Sequence, residues 1–441
     1  VRNGAAVTAL IALSTAAPSA HAVPPPVIDN SLLPAAAAPT PPRPGVQREP
    51  CAAPAVSSSG EQPHRVGLAS AHALSRGEGQ RVAVIDTGVT RHHRLADVEA
   101  AGDYVSTGDG TEDCDGHGTL VAGIIAATPD LDDATGFTGI APAATILAIR
   151  QSSTRFAPDA SSPAGSGDVA TMAMAVRTAA DLGATVINIS TVACATGPLD
   201  DGALGAALAY AVDVKDVVVV AAAGNVGGAG RCPRPAEGSE TAWETATVMT
   251  SPGWYDDYVL TVGSVGATGA PSDFSLPGPW VDVAARGEQV ISLHPGGSGV
   301  VDALPAFGRA MPISGTSYAA PVVSGVAALV RSRFPELTAR QVMHRIESTA
   351  RTLGGVWTPL SGNGIVDPVA ALSTEATTET ATSEPAPRPI SGPARTEPAP
   401  DTRASTIAIS GAGICAVLVV AAAVARSRRG RGDDVMGGQR R

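Results

Sequence analysis

The chain has 441 residues and a formal net charge of −11, with 44% hydrophobic, 16% charged and only 3% aromatic residues. That length accommodates one sizeable domain plus appendages, and the acidic balance argues against nucleic acid as a partner. Lys215 is the only lysine; with few aromatics and 49 glycines, core packing has to rely on close approach of helix to sheet.

The first segment, 1–22, reads as a secretory signal. Arg2 is a short basic start, 5–17 is an apolar run, and Ala20-His21-Ala22 is a small-residue cleavage site. Residues 23–61 form a Pro-rich extension carrying Cys51. It is either a disposable propeptide or an arm that wraps the next domain.

That domain is expected over 62–372. Val82-Ala83-Val84-Ile85-Asp86-Thr87-Gly88 reads as a buried strand ending in a carboxylate, its apolar run continuous as in sheets covered on both faces. Asp115-Gly116-His117-Gly118-Thr119 reads as a loop feeding a helix, with glycines leaving little bulk around the imidazole. The neighbouring His92, His93, Asp113 and Asp115 are taken as solvated loop residues, and no metal or cofactor is assigned. Between a strand at 146–149 and a helix at 169–182 lies a Ser/Pro/Ala/Gly stretch, 151–167. It is either a floppy surface loop or a cover over a cleft that filters substrates or contacts a partner. A further buried strand in 217–223 leads to Asn225, whose amide could donate to an oxyanion. In Gly315-Thr316-Ser317-Tyr318-Ala319-Ala320-Pro321 a polar loop turns into an apolar helix, so the Ser317 hydroxyl sits where helix N–H groups favour negative charge.

The residue types match one chemistry. A serine hydroxyl is a poor nucleophile until a base removes its proton. His117 has the right unperturbed pKa for that task, and Asp86 would fix its tautomer and stabilise the imidazolium. Asp, His, Ser is also a chain order known for such a set.

Past the domain, 373–405 is rich in Thr, Glu, Ala and Pro and reads as an extended stalk. A membrane helix is expected at 406–425: the stretch 407–425 carries no charge, and at about 1.5 Å per residue it approaches the ~30 Å hydrocarbon core. Arg426, Arg428, Arg429 and Arg431 in the tail 426–441 mark the cytoplasmic side. With the signal peptide this implies a single-pass type I topology, with the domain outside.

Of the five cysteines, Cys415 lies in the expected membrane span. The other four face an oxidising compartment, where disulfides are the default. Three pairings are possible. Cys51–Cys114 with Cys194–Cys232 is favoured: the second pair links loops at the ends of buried strands, and the first tethers the extension beside His117. Zinc is the rival, but no Cys-x-x-Cys spacing supports it.

The Asp86, His117, Asn225 and Ser317 segments resemble those of the subtilisin-like serine proteases, the subtilases, over about residues 62–372. The resemblance implies a doubly wound α/β fold, its largely parallel sheet flanked by helices. It also implies that Asp86, His117 and Ser317 are catalytic and that Asn225 forms an oxyanion hole with the Ser317 backbone N–H. A narrower resemblance is to the mycosins, membrane-anchored subtilases associated with type VII (ESX) secretion. It rests on the signal peptide, the extension with Cys51, Asn188-Ile189-Ser190-Thr191-Val192-Ala193-Cys194 and the C-terminal membrane helix. It implies the same cysteine pairing and a type VII secretion membrane complex as partner. Degradative subtilisins usually carry a Gly-rich turn where this chain has Thr191-Val192-Ala193-Cys194, which speaks for a limited set of protein or peptide substrates. The competing expectation is a mainly structural component of the secretion complex, with dispensable proteolysis.

Overall fold

Short apolar runs bounded by glycines and polar turns become strands, and seven of them form one sheet. The computed structural model describes residues 26–53, 67–130, 135–159, 165–227, 232–306, 309–352 and 355–373. In chain order the strands that matter are β1 Val46–Gln47, β2 Arg81–Asp86, β3 Val98–Asp103, β4 Thr145–Arg150, β5 Phe156–Ala157, β6 Val186–Ile189, β7 Ala193–Ala195, β8 Val218–Ala222, β9 Met249–Ser251, β10 Leu260–Val265 and β11 Val283–Arg286. The helices are α1 Leu68–His72, α2 His117–Ala126, α3 Val169–Asp181, α4 Gly202–Ala209 and α5 Thr316–Arg333.

The sheet runs β11-β10-β8-β6-β2-β4-β3, and every neighbouring pair is parallel. Strand order reverses at β2: the chain first builds β3 and β4 on one side, then β6, β8, β10 and β11 on the other. Such a switch point opens a crevice beyond the carboxyl ends of the strands, and Asp86 is the last residue of β2.

Every residue of β6, β8 and β10 is buried, so both faces of the sheet are covered. α5 runs over β6, β8, β10 and β11 and packs on α2, while α3 packs on α4 and on β2, β3 and β4. Small residues permit this approach: a Cβ on Gly325 of α5 would lie 2.5 Å from the Cβ of Ile140. The sequence expectations for β4 and α3 hold to within a residue at each end. α3 starts at a capping box, in which Asp168 accepts from the Thr171 N–H and the Thr171 hydroxyl accepts from the Asp168 N–H. The strand before Asn225 stops at Ala222, so Asn225 lies in the loop beyond it.

The N-terminal extension is an arm laid on the domain. Its β1 pairs antiparallel with β5, and Ile28 and Leu33 pack against the core. Among the described residues no helix is long and apolar enough to cross a membrane. The signal peptide at 1–22, the stalk beyond Ser373, the membrane helix at 406–425 and the tail at 426–441 lie outside the described residues.

Candidate active site

Three elements bring three side chains together at the switch point. β2 ends in Asp86, which is fully buried and accepts a 2.8 Å bond from the Thr87 N–H. α2 begins with His117, and α5 carries Ser317 in its first turn. His117 Nδ1 lies 2.7 Å from Asp86 Oδ1, and Nε2 lies 3.0 Å from Ser317 Oγ. An ionised carboxylate only accepts, so the Nδ1 proton points at Asp86 and leaves Nε2 as the basic nitrogen toward Ser317.

The imidazole is 25% exposed. Burial pulls its pKa down, but the charge and hydrogen bond of Asp86, with Asp113 and Asp115 beyond, outweigh that and raise it above the ordinary value. The close approach of β2 to α2 requires glycine at 118: a Cβ there would lie 2.0 Å from the Gly88 carbonyl oxygen.

Asn225 lies beside the start of α5. Its Oδ1 accepts from the Thr316 N–H at 3.0 Å and lies 3.3 Å from the Thr316 hydroxyl. That assigns the amide: oxygen toward Thr316, and Nδ2 as a donor for another group. The Thr316 Oγ1 in turn accepts from the Gly224 N–H at 3.2 Å.

Several residues differ from the solvated loop positions expected of them. Asp113 is half-buried and accepts from the Thr87 hydroxyl at 2.8 Å, the Gly116 N–H at 2.7 Å, and the Thr119 N–H and hydroxyl at 2.8 and 2.7 Å. The N-cap of α2 is Gly116, which has no side chain to cap with, so Asp113 takes over that task. Burial, with a smaller push from the charge on Asp86, raises its pKa to about 6 against the pull of these bonds. Asp115 accepts from the Thr154 N–H at 2.7 Å and from the Ser153 hydroxyl. His92 is buried, takes the Arg94 N–H on Nδ1 at 3.1 Å and meets the Gly299 carbonyl at 3.1 Å through Nε2. Burial, helped by its cationic neighbours, pushes its pKa down to about 4. His93 does remain exposed.

The stretch 151–167 is pinned where it is described. Gln151 and Ser152 donate their N–H groups to the Asp86 carbonyl, Ser153 and Ser166 exchange two backbone bonds, and Asp115 holds Ser153 and Thr154. Opposite it runs the segment 191–195, whose β7 pairs antiparallel with β9. A cavity of about 160 Å³ lies between them, walled by Gln151, Met172, Val192, Leu204 and Pro252. A larger one of about 680 Å³ lies beneath residues 36–39 of the arm and contains no residue of this cluster.

Cys51 is bonded to Cys114 and Cys194 to Cys232. The first bond, with the Ala52 N–H donating to the Cys114 carbonyl at 2.7 Å, seats the arm just ahead of Asp115 and His117. Closing a loop of 63 residues contributes about 4 kcal/mol in the chain-entropy model. The second ties the 191–195 wall to the segment after Asn225, where the Cys232 N–H donates to the Asn225 carbonyl at 2.9 Å.

A model of the subtilase family matches residues 77–379. Mycosin-4 of Mycobacterium tuberculosis is 58% identical over 437 residues, which covers 96% of this chain and 95% of the relative. The chain belongs to the mycosins, within the subtilase family. It is a subtilisin-like serine protease. Among solved structures, the MycP3 protease from the type VII (ESX-3) secretion system is 46% identical, with a TM-score of 0.74 over 80% of this chain and 100% of that one. A chain in the structure of an intact ESX-5 inner membrane complex is 38% identical, with a TM-score of 0.74 over 92% of this chain and 100% of that one.

Sequence reasoning missed three parts of the mycosin site. Tyr318 is buried with its ring 5.1 Å from that of His117. Burial, reinforced by Asp86 and Asp113, holds its hydroxyl in the protonated form. The Asp113 cap is the second. The third is a buried polar chain through Asn188, Ser190 and Ser324. Its signal was available: two polar residues in the otherwise apolar Val186-Ile187-Asn188-Ile189-Ser190 have to find partners inside.

Proposed function

We propose that this mycosin is an extracytoplasmic, membrane-anchored endopeptidase that works through an acyl-enzyme on Ser317. The observation that carries it is His117 hydrogen-bonded on one side to Asp86 and on the other to Ser317. In this reading Nε2 takes the Ser317 proton as Oγ attacks the scissile carbonyl. Asp86 stabilises the imidazolium, and His117 then returns the proton to the leaving amine. The oxyanion is held by Asn225 Nδ2 and the Ser317 N–H. The Asn225–Thr316 bond supports this by turning the amide nitrogen away from the backbone donor. The non-glycine segment 191–195, the pinned segments 151–159 and 165–167 and the tethered arm narrow access, which limits the substrates to a small set of proteins or peptides. The domain spans 62–372, follows a signal peptide, and is held outside the cell membrane by the helix at 406–425 beyond a stalk. The test is fluorophosphonate labelling: Ser317→Ala and His117→Ala are each expected to abolish it, and robust labelling of Ser317→Ala refutes the assignment.

The partner proposed is a type VII secretion membrane complex. A second reading, in which the chain mainly stabilises that complex, is favoured by the relative seen in an intact ESX-5 inner membrane complex. Replacing the gene with the Ser317→Ala version separates the two. Lost secretion supports the enzymatic role, and normal secretion with lost processing supports the structural one.

A further inference from the structure

α5 runs unbroken from Thr316 to Arg333 with Pro321 inside it. In an α-helix the carbonyl of residue 317 accepts from the N–H of residue 321. Proline has no N–H, and its ring crowds the carbonyl four residues back. The residue whose carbonyl loses its helix donor is therefore Ser317 itself. An acceptor left unpaired here would let the 317–318 peptide rotate, and the Ser317 side chain with it.

The structure supplies another donor. The Ser190 hydroxyl, just beyond β6, donates to the Ser317 carbonyl at 2.8 Å. Ser190 in turn accepts from Asn188 Nδ2 at 2.9 Å, and Asn188 Oδ1 accepts from the Ser324 hydroxyl at 2.8 Å. Asn188 and Ser324 are fully buried and Ser190 is 6% exposed. The directions are consistent along the chain. Each hydroxyl has one proton, that of Ser324 goes to Asn188, and that of Ser190 has only the Ser317 carbonyl left to serve.

We propose that Ser190 is a positioning residue for the nucleophile, replacing the helix hydrogen bond that Pro321 withholds from the Ser317 carbonyl. Pro321 releases the carbonyl from the helix ladder, and the end of β6 takes hold of it. The reach of Ser317 Oγ toward His117 is thereby set by the sheet and not by the helix alone. Thr191, the next residue, begins the wall of the cleft, so nucleophile and wall share one anchor. This rests on the reading of Ser317 as nucleophile.

The test is a double-mutant cycle on the full-length chain in detergent, read as the second-order rate of labelling by a fluorophosphonate probe. Ser190→Ala is expected to slow labelling about tenfold. Pro321→Ala restores an N–H at the position that normally serves the Ser317 carbonyl, so in that background Ser190→Ala is expected to have little further effect. Each rate is compared within its own background, on protein whose melting transition shows that it is folded, and Ser190→Thr, which keeps a hydroxyl, is expected to recover most of the lost rate. An equal slowing by Ser190→Ala in both backgrounds overturns the proposal, as does no slowing in either. If the unsubstituted chain does not label at all, it is the assignment of Ser317 that fails, a result distinct from these.

Discussion

Replacing Gly118 by alanine tests how tightly α2 is held against the end of β2. Gly118 directly follows His117 and is buried. Its backbone is not in the left-handed region, so the cost of a side chain is purely steric. A Cβ there would lie 2.0 Å from the Gly88 carbonyl oxygen and 3.1 Å from the Cβ of Asp86. Reaching an ordinary contact of about 3.5 Å means opening the gap by about 1.5 Å. The obstacle is backbone, and Gly88 has no room to retreat: its own φ is +104°, and a Cβ on it would sit 2.1 Å from the Glu112 carbonyl oxygen. The start of α2 must therefore back away, carrying His117 from Asp86 and Ser317. A displacement of about 1 Å in a reacting group costs on the order of 10² in rate, and overpacking of this kind destabilises by about 1–3 kcal/mol. Gly118→Ala is thus expected to fold, to melt somewhat earlier, and to label with a fluorophosphonate roughly a hundredfold more slowly. Gly197→Ala, whose Cβ meets nothing within 4 Å, is the control expected to match the wild type in both assays. If Gly118→Ala labels at the wild-type rate, the rigid seating of His117 against β2 is wrong.

Two further outcomes follow from the same geometry. Asn225→Ala is expected to lower turnover of a peptide substrate by about 10²–10³, the magnitude seen for an oxyanion-hole asparagine in subtilisin, with little change in KM; an unchanged turnover removes Asn225 from the proposed oxyanion site. In its proposed role as base, His117 must be neutral to accept a proton, so activity is expected to fall as pH drops through its pKa, which lies above its ordinary value against the pull of burial because of Asp86, Asp113 and Asp115; Asp115→Asn should move the acid limb of the labelling rate to lower pH, and a limb that stays put or moves up contradicts that electrostatic account.

Much of the fold is legible locally. β8 is a continuous apolar run, and β2 is one between its terminal Arg81 and Asp86, because both faces of the sheet are covered, and that burial writes itself into consecutive residues. The three motif side chains are legible for a related reason. A serine at a helix start, a histidine flanked by glycines and a carboxylate at a strand end each need a short, recognisable context. The 151–167 stretch is different. Its composition fits a floppy loop as well as a pinned one, and the difference lies in Asp115 and in the pairing of β5 with β1 of the arm.

Asp113 and His92 show the limit of reading polar residues in a loop. Nothing adjacent in sequence says that Asp113 replaces the side chain Gly116 lacks, or that His92 will be buried against a carbonyl more than two hundred residues away. The sequence by itself determined which residue types stand at the strand ends and helix starts, and hence the chemistry available. The tertiary structure alone decided which polar groups are withdrawn from water and by whom they are met. Ser190 reaches Ser317 across 127 residues, and His117 reaches it across 200. Hydrogen bonds act over a few ångströms and hold no record of sequence separation, so such partners are set only when the sheet has brought its strands side by side.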